Sequence, residues 1–110
     1  MSQSQFNITL PSTDNAGNAL TTGQITALVF EVVSGSPAAS TPFTYAVPAS
    51  TPVGGSVVVP FSAIGFVPVG GTTYAADAYA VDANGNGIAT PAITWTEDTV
   101  PAAPTGFSVS

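Results

Sequence analysis

The stretch Tyr74–Gly87, with the sequence YAADAYAVDANGNG, decides the fold of this chain. Residues 73–82, which are Thr73 and the first part of this stretch, are predicted to form a strand built largely from small side chains. Its second part, residues 82–87, concentrates Asp, Asn and Gly, which tolerate positive φ and favour a tight turn. A strand that runs directly into such a turn is typical of an antiparallel hairpin.

Short strands with turns between them continue on both sides of this stretch. Eleven Gly and ten Pro are spread through the chain, with Val, Ile, Thr, Phe and Tyr clustered between them and no helical pattern. Strands at this spacing indicate an all-β, seven-stranded antiparallel Greek-key β-sandwich. The predicted strands are Phe6–Leu10, Ile25–Val33, Phe43–Val47, Ser56–Ile64, Thr73–Asp82, Ile88–Glu97 and Gly106–Val109.

The charged residues exclude several classes of function. The 110 residues, enough for one domain, include no Lys, Arg, His or Cys, and six carboxylates give a net charge of −6. Without basic side chains the chain cannot neutralise phosphates, so we expect neither a nucleic-acid nor a membrane partner. Without His, Cys or Lys the familiar nucleophiles and zinc sites are missing. We therefore expect no enzyme activity and no cofactor.

Three segments resemble a fibronectin type III domain over roughly residues 6–97. Residues 74–87 resemble its strand F and F–G turn, and FVPVGGTTY at 66–74 is similar to its apolar-x-Pro-Gly-x-x-Tyr segment, one or two residues longer. Residues 10–20, LPSTDNAGNAL, resemble the end of strand B and the B–C loop. The resemblance implies that Tyr74 is the corner tyrosine, whose hydroxyl bonds back to the preceding loop.

The chain departs from this family in its core. The strand-B tryptophan of the family is missing, and we expect Trp95 to fill the volume left by Ala76, Ala78 and Ala80. On the strand that follows the B–C loop, Phe30 is expected to point inward.

The chain also departs from the family in the place of strand A. If Phe6–Leu10 is strand B, residues 1–5 are a flexible N-terminus, 6–97 are the sandwich, and 98–110 are a Pro-rich linker and a displaced strand A. The seven linker residues 98–104 reach about 23–25 Å, and a strand of seven or eight residues measures about 24–27 Å. To pair within its own chain, the displaced strand would have to return along the full length of the domain, and the linker barely spans one strand before any sideways crossing is added. We therefore expect Phe107 and Val109 to join a neighbouring subunit's open edge. The alternative is a loose tail, or the start of a further domain.

One turn contains a possible cation site. Asp82, Asn84 and Asn86 match the first positions of a calcium loop, but Ile93 stands where its bidentate Glu belongs. The same residues suit a plain hairpin turn, which is the interpretation we favour.

The remaining acids have structural and chemical interpretations. Glu31 and Asp77 are predicted to share one sheet face, where a carboxylate pair could serve glycoside hydrolysis. We favour two solvated surface acids instead, since a flat sheet face offers no pocket. Glu97 and Asp98 are predicted to end the last full strand and keep it soluble.

The same outer face is predicted to be apolar. Ala27 and Val29 would lie there with Ala75, Tyr79 and Val81, which makes the strand 25–33 apolar on both faces. Such a strand is normally covered on both sides, and a second subunit would cover it most easily. The alternatives are a loop cover, or apolar residues that are merely scattered.

These features predict a structural, non-enzymatic protein that assembles with copies of itself or onto a larger protein shell or fibre. Sandwiches of this kind resemble accessory modules of tailed-phage particles, such as head decoration proteins and tail components, which implies a virion location. A secreted or cell-surface filament or adhesin module is the second hypothesis. A carbohydrate-binding module is the third, and its aromatic platform would have to come from Tyr45, Tyr79 and Trp95.

Overall fold

The computed structural model describes residues 4–35, 41–99 and 103–109. They form an all-β domain with a single helical turn. The elements are β1 (Gln5–Thr9), β2 (Ile25–Ser34), β3 (Thr41–Ala46), β4 (Ser56–Pro60), α1 (Phe61–Ile64), β5 (Thr73–Asp82), β6 (Gly85–Asn86) and β7 (Ile93–Thr96).

The strands form two antiparallel sheets. β1 and β4 make a two-stranded sheet, and the order β3-β2-β5-β6, with β7 also paired to β5, makes a five-stranded one. The sheets face each other, because Phe6 of β1 stacks on Phe30 of β2 with their ring centroids 4.7 Å apart. Both rings are buried, as the alternation along the two strands requires. The prediction of an all-β protein with two antiparallel sheets, consistent with a β-sandwich, is confirmed.

Aromatic rings fill one end of the core, which we call the aromatic pole. There the Trp95 ring lies 5.6 Å from Phe6 and 5.5 Å from Tyr74, between ring centroids. Phe61 and Phe66 complete the cluster, with ring centroids 4.9 Å apart. Large rings bury much apolar area each, so this end carries a large share of the hydrophobic stabilisation.

The predicted strand Ser56–Ile64 is too long. β4 ends at Pro60, and residues 61–64 turn into α1, which buries Phe61. Gly65 ends the helix in the left-handed conformation, with a φ of 76°, which glycine adopts without steric cost. The burial of Phe61 among the other rings explains why the chain turns here instead of extending.

The predicted strand Ile88–Glu97 is interrupted. Between β6 and β7, residues 87–92 do not continue the regular ladder with β5 and form a detour. Two hydrogen bonds still hold this detour to β5, from the Gly87 N–H to the Ala80 carbonyl (2.7 Å) and from the Thr90 N–H to the Ala78 carbonyl (2.8 Å). Pro91, within the detour, has no N–H for a sheet ladder. The described residues form seven strands, but these are not the seven predicted ones, since residues 106–109, predicted as the last strand, are not in a strand.

The predicted termini agree only in part with the structure. Gln5, placed in the flexible N-terminus, belongs to β1, and the Ser4 carbonyl accepts a bond from the Phe61 N–H. The structure does not describe residues 1–3 of that segment or residues 36–40. It also does not describe residues 100–102 and 110, which belong to the predicted C-terminal segment 98–110.

Candidate functional site

One edge of the two-stranded sheet is open. The ladder between β1 and β4 is framed by bonds from the Phe61 N–H to the Ser4 carbonyl and from the Leu10 N–H to the Gly55 carbonyl, both 2.9 Å. Hydrogen-bonded and non-bonded pairs alternate along an antiparallel ladder. Every second residue of β1 therefore turns its N–H and C=O away from β4, and these are Gln5, Asn7 and Thr9. No strand among the described residues pairs with them.

A long apolar groove runs beside this edge, between β1 and the opposite sheet; we call it the edge groove. It consists of two hollows of about 540 and 340 Å³ that share Ile8, Ala78 and Thr90. The larger hollow extends to the loop 13–16 and the turn 82–87, and the smaller one extends towards Phe6 and Ile93. Protein interiors are close-packed. A groove of this size beside the core is therefore space that further side chains could fill.

Large apolar side chains on the rim of the edge groove are exposed to solvent. Ile88 is 77% exposed and Ile93 is 57% exposed, and both line it. The small side chains of Ala76 and Ala78 on β5 keep it open. Trp95 was expected to fill the space beside these alanines, but it packs in the aromatic pole and does not line the groove.

Two of the other strand edges carry a proline. On β3, Pro42 is opposite Glu31, and on β4, Pro60 is opposite Gln5. Counting along each ladder from its nearest backbone hydrogen bond shows that both are non-hydrogen-bonded pairs. Each proline therefore stands where an N–H would face the free edge of β3 or β4. Proline at such positions discourages the pairing of further strands. The described part of β1 contains no proline.

The outer face of the five-stranded sheet is less open than predicted. Val29 is only 8% exposed although no second subunit is present, because its neighbours across the strands, Thr44 and Tyr79, flank it on both sides. Ala27, Tyr79 and Val81 are half-buried. Cover of this face by a second subunit stays a prediction.

Glu31 and Asp77 do share this face, and they lie directly opposite each other on β2 and β5. Both are half-buried rather than fully solvated. Asp77 Oδ1 is buried and has no hydrogen-bond partner among the described residues. Asp77 lines the smaller hollow of the edge groove and Glu31 lines neither of its two hollows, so the two carboxylates do not meet in the edge groove.

The candidate calcium residues form a hairpin turn. Asp82 is opposite Gly85 and Val81 is opposite Asn86, and the Asp82 Oδ1 accepts the Asn84 N–H at 2.8 Å. This is the plain turn that the sequence favours. Within the described ranges there is no group of three or more His, Cys, Asp or Glu that could hold a metal. Binding of calcium by Asp82, Asn84 and Asn86 stays an untested prediction.

Tyr74 ties the loop before β5 to the core. Its side chain is fully buried, and its hydroxyl accepts the Val69 N–H at 2.8 Å, which is a bond back to the preceding loop. Gly35 packs against the Tyr74 ring so closely that a Cβ there would come within 2.3 Å of it. This contact and the hydroxyl bond fix the loop 65–72 and the end of β2 to the same ring.

Glu97 has a structural role that the sequence did not indicate. It is only 5% exposed, so it does not solvate the end of the strand as predicted. Its Oε1 accepts the Trp95 Nε1–H at 3.3 Å, and its backbone bonds to Gly71 (2.7 Å) and Thr72 (2.9 Å). The two-residue spacing of Trp95 and Glu97 on one strand face was the available signal.

The three candidate aromatics for a carbohydrate platform do not form one. Tyr45 and Trp95 pack against the core from the inner face. Tyr79 is on the outer face of β5, beside Val29. Rings on opposite faces of a sheet cannot stack on one sugar.

The C-terminal segment, residues 103–109, is entirely exposed. Phe107 is 91% exposed and Val109 is 96% exposed. β1 has five residues and measures about 17 Å, less than the seven or eight residues assumed for such a strand. The seven-residue linker reaches about 23–25 Å, which exceeds the length of β1, but a return would also have to cross between the two sheets. Donation of the segment to a neighbouring subunit stays a prediction.

The part of the chain that the structure describes contains no helix long and apolar enough to cross a membrane. No family model, no curated protein and no solved structure matches the chain.

Proposed function

We propose that the chain is a non-enzymatic structural subunit that associates with copies of itself. The observation that carries the proposal is the open edge of β1 beside the edge groove, where unpaired backbone groups and exposed Ile88 and Ile93 lie together. An unpaired edge is a template for another strand, and exposed apolar surface favours contact with protein. Six acids and no basic residue restrain indiscriminate association.

The strand arrangement supports a fibronectin- or immunoglobulin-like Greek key. In sandwiches of this class strands B and E share one sheet with A, and strands C, F and G share the other, with C′ beside C in some members. The pairs β1-β4 and β3-β2-β5-β7 fit B-E and C′-C-F-G. In this assignment the open side of β1 is the place of strand A.

We further propose that the assembly is an accessory layer of a tailed-phage particle, such as a decoration or tail component, built on a larger protein shell or fibre. The support is the likeness to such modules at the level of the fold, together with the nearly uncharged composition. Antibody labelling of purified phage particles in electron micrographs would support this location. Labelling confined to cell surfaces would favour the filament or adhesin alternative.

Sedimentation velocity over a range of concentrations tests self-association. The full chain is expected to form multimers, and Asn7→Pro is expected to reduce them, because it removes an outward N–H from β1 without removing a bond to β4. The matched control is Val58→Pro, the residue opposite Asn7, whose N–H faces the other edge. A full chain that stays monomeric, or an Asn7→Pro variant that is folded and assembles like the full chain, contradicts the proposal.

A further inference from the structure

We infer that the edge groove receives residues 103–109 of a second copy, which pair antiparallel with β1 and join the copies head to tail. The inference rests on the proposed self-association and specifies the partner segment, the acceptor strand and the polarity.

The apolar side chains of the C-terminal segment match those of β1 in spacing. Phe107 and Val109 are two residues apart, so in an extended strand both side chains point to one side. Phe6 and Ile8 on β1 have the same spacing and both line the groove. A strand beside β1 would therefore present Phe107 and Val109 to the groove, while Ser108 faces outward.

Neither the open edge of β1 nor the C-terminal segment has a partner among the described residues. The outward backbone groups of Gln5, Asn7 and Thr9 have no strand beside them, and Phe107 and Val109 are almost fully exposed. The edges of β3 and β4 carry the outward prolines Pro42 and Pro60, and β7, at the other edge of the five-stranded sheet, has only four residues. We therefore expect β1, with five residues, to be the edge that accepts the partner.

The pole at which the tail leaves the domain determines how two copies are oriented. β7 leads to Glu97, which bonds to Gly71 at the aromatic pole, and the backbone of Thr99 lies against Gly70. β1 starts at the same pole, since Phe6 contacts Trp95 there. A strand antiparallel to β1 enters beside Thr9, at the opposite pole. A donor whose tail leaves at its aromatic pole therefore places that pole against the acceptor's far pole.

This geometry determines the kind of assembly. Antiparallel pairs are slightly more stable than parallel ones, and the β1–β4 pair is already antiparallel. A contact between unlike surfaces that does not close on itself produces an open fibre. A parallel pair would instead bring two aromatic poles together and would allow a closed dimer with exchanged tails.

Disulfide cross-linking between two single-cysteine variants tests the inference, since the chain has no natural Cys. Asn7→Cys and Ser108→Cys both place a thiol on the outward side of the proposed strand pair. Mixed and oxidised under conditions in which the full chain assembles, they are expected to give a covalent dimer of one of each. Val58→Cys, on the strand opposite Asn7, mixed with Ser108→Cys, is the matched control and should give far less product.

A second measurement separates the segment from the fold. Phe107→Asp is expected to weaken assembly about tenfold or more, while Val58→Asp, which places the same charge at an exposed residue of β4, leaves it unchanged. In the variant with both cysteines, Asn7→Cys/Ser108→Cys, oxidation should give a ladder of lengths.

Other outcomes overturn the inference in distinguishable ways. Multimers of the full chain without the mixed cross-link leave the proposed function standing and refute the donated segment. Asn7→Cys that cross-links to itself shows pairing of two β1 edges instead. A double-cysteine variant that closes within one chain, or only as a dimer, refutes the head-to-tail polarity. A full chain that is monomeric at every concentration refutes both proposals.

Discussion

Glu31 and Asp77 face each other across β2 and β5, in a chain with no basic side chain to separate them. Like charges directly opposite on neighbouring strands repel. The sheet therefore holds an unfavourable pair at its centre, which the surrounding contacts must outweigh.

Neutralising either acid is expected to stabilise the domain. Glu31→Gln or Asp77→Asn should raise the free energy of unfolding in urea at neutral pH by about 0.2–1 kcal/mol. The double variant should gain less than the sum of the two, because the second change removes no further repulsion. Additive effects, or loss of stability in both single variants, would show that the repulsion is not felt.

The loop 13–19 is expected to loosen in acid. The backbone N–H of Asn18, then its side-chain amide and the N–H groups of Ala16 and Gly17, hold the pKa of Asp14 below its ordinary value of 3.8. A lowered pKa in the folded state stabilises it above the unfolded value, and this contribution is lost as the pH falls through the folded value.

Nuclear magnetic resonance can follow this loss through the Asp14 carboxyl carbon and the exchange of the Ala16 and Asn18 amides, which bond to Asp14 Oδ1 at 2.9 Å. Asp14→Asn is the control, since its carbonyl still accepts these bonds but does not titrate. Equal acid sensitivity of the loop in both proteins would assign the effect to other carboxylates.

Removing the Tyr74 hydroxyl should destabilise the loop before β5. Tyr74→Phe is expected to lower the free energy of unfolding by about 1 kcal/mol, because the Val69 N–H loses its acceptor. Tyr79→Phe on the outer face removes a hydroxyl without a hydrogen bond among the described residues and should cost little. Equal effects of both changes would mean that the corner bond contributes nothing specific.

Glu97 is expected to matter as a hydrogen-bond acceptor rather than as a charge. Glu97→Gln keeps an oxygen for the Trp95 Nε1–H and should change stability little, whereas Glu97→Ala should cost about 1–2 kcal/mol. Trp95 is the single tryptophan, so its fluorescence reports both unfolding and the local change. A large loss with Gln would show that the charge itself is needed.

The sequence predicted the parts of the fold that local pattern determines. β5 has the predicted bounds, and Asp82 closes the predicted turn onto the Asn84 N–H. Alternation and turn residues act within a few positions, so they can be recognised without knowledge of distant contacts.

The errors lie where distant parts of the chain meet. Phe61 does not continue the predicted strand, because its ring packs against Phe6, which is distant in sequence, and against Phe66, which follows the helical turn. Glu97 is buried where it forms hydrogen bonds with Gly71 and Trp95. Val29 is buried between its neighbours on the adjacent strands. The edge groove depends on the register of β1 against β4 and on a detour at Pro91, and neither leaves a mark in the periodicity.

The prolines at two of the other edges, Pro42 and Pro60, have a consequence for how large structures could grow. A domain that accepts strands along several edges can branch and thicken into irregular sheets. With those two edges blunted and β7 limited to four residues, β1 is the preferred place for a second copy to join, and each copy has one tail with which to join. Growth then stays in single file, and a protein without any salt bridge between side chains could build a thread of uniform width.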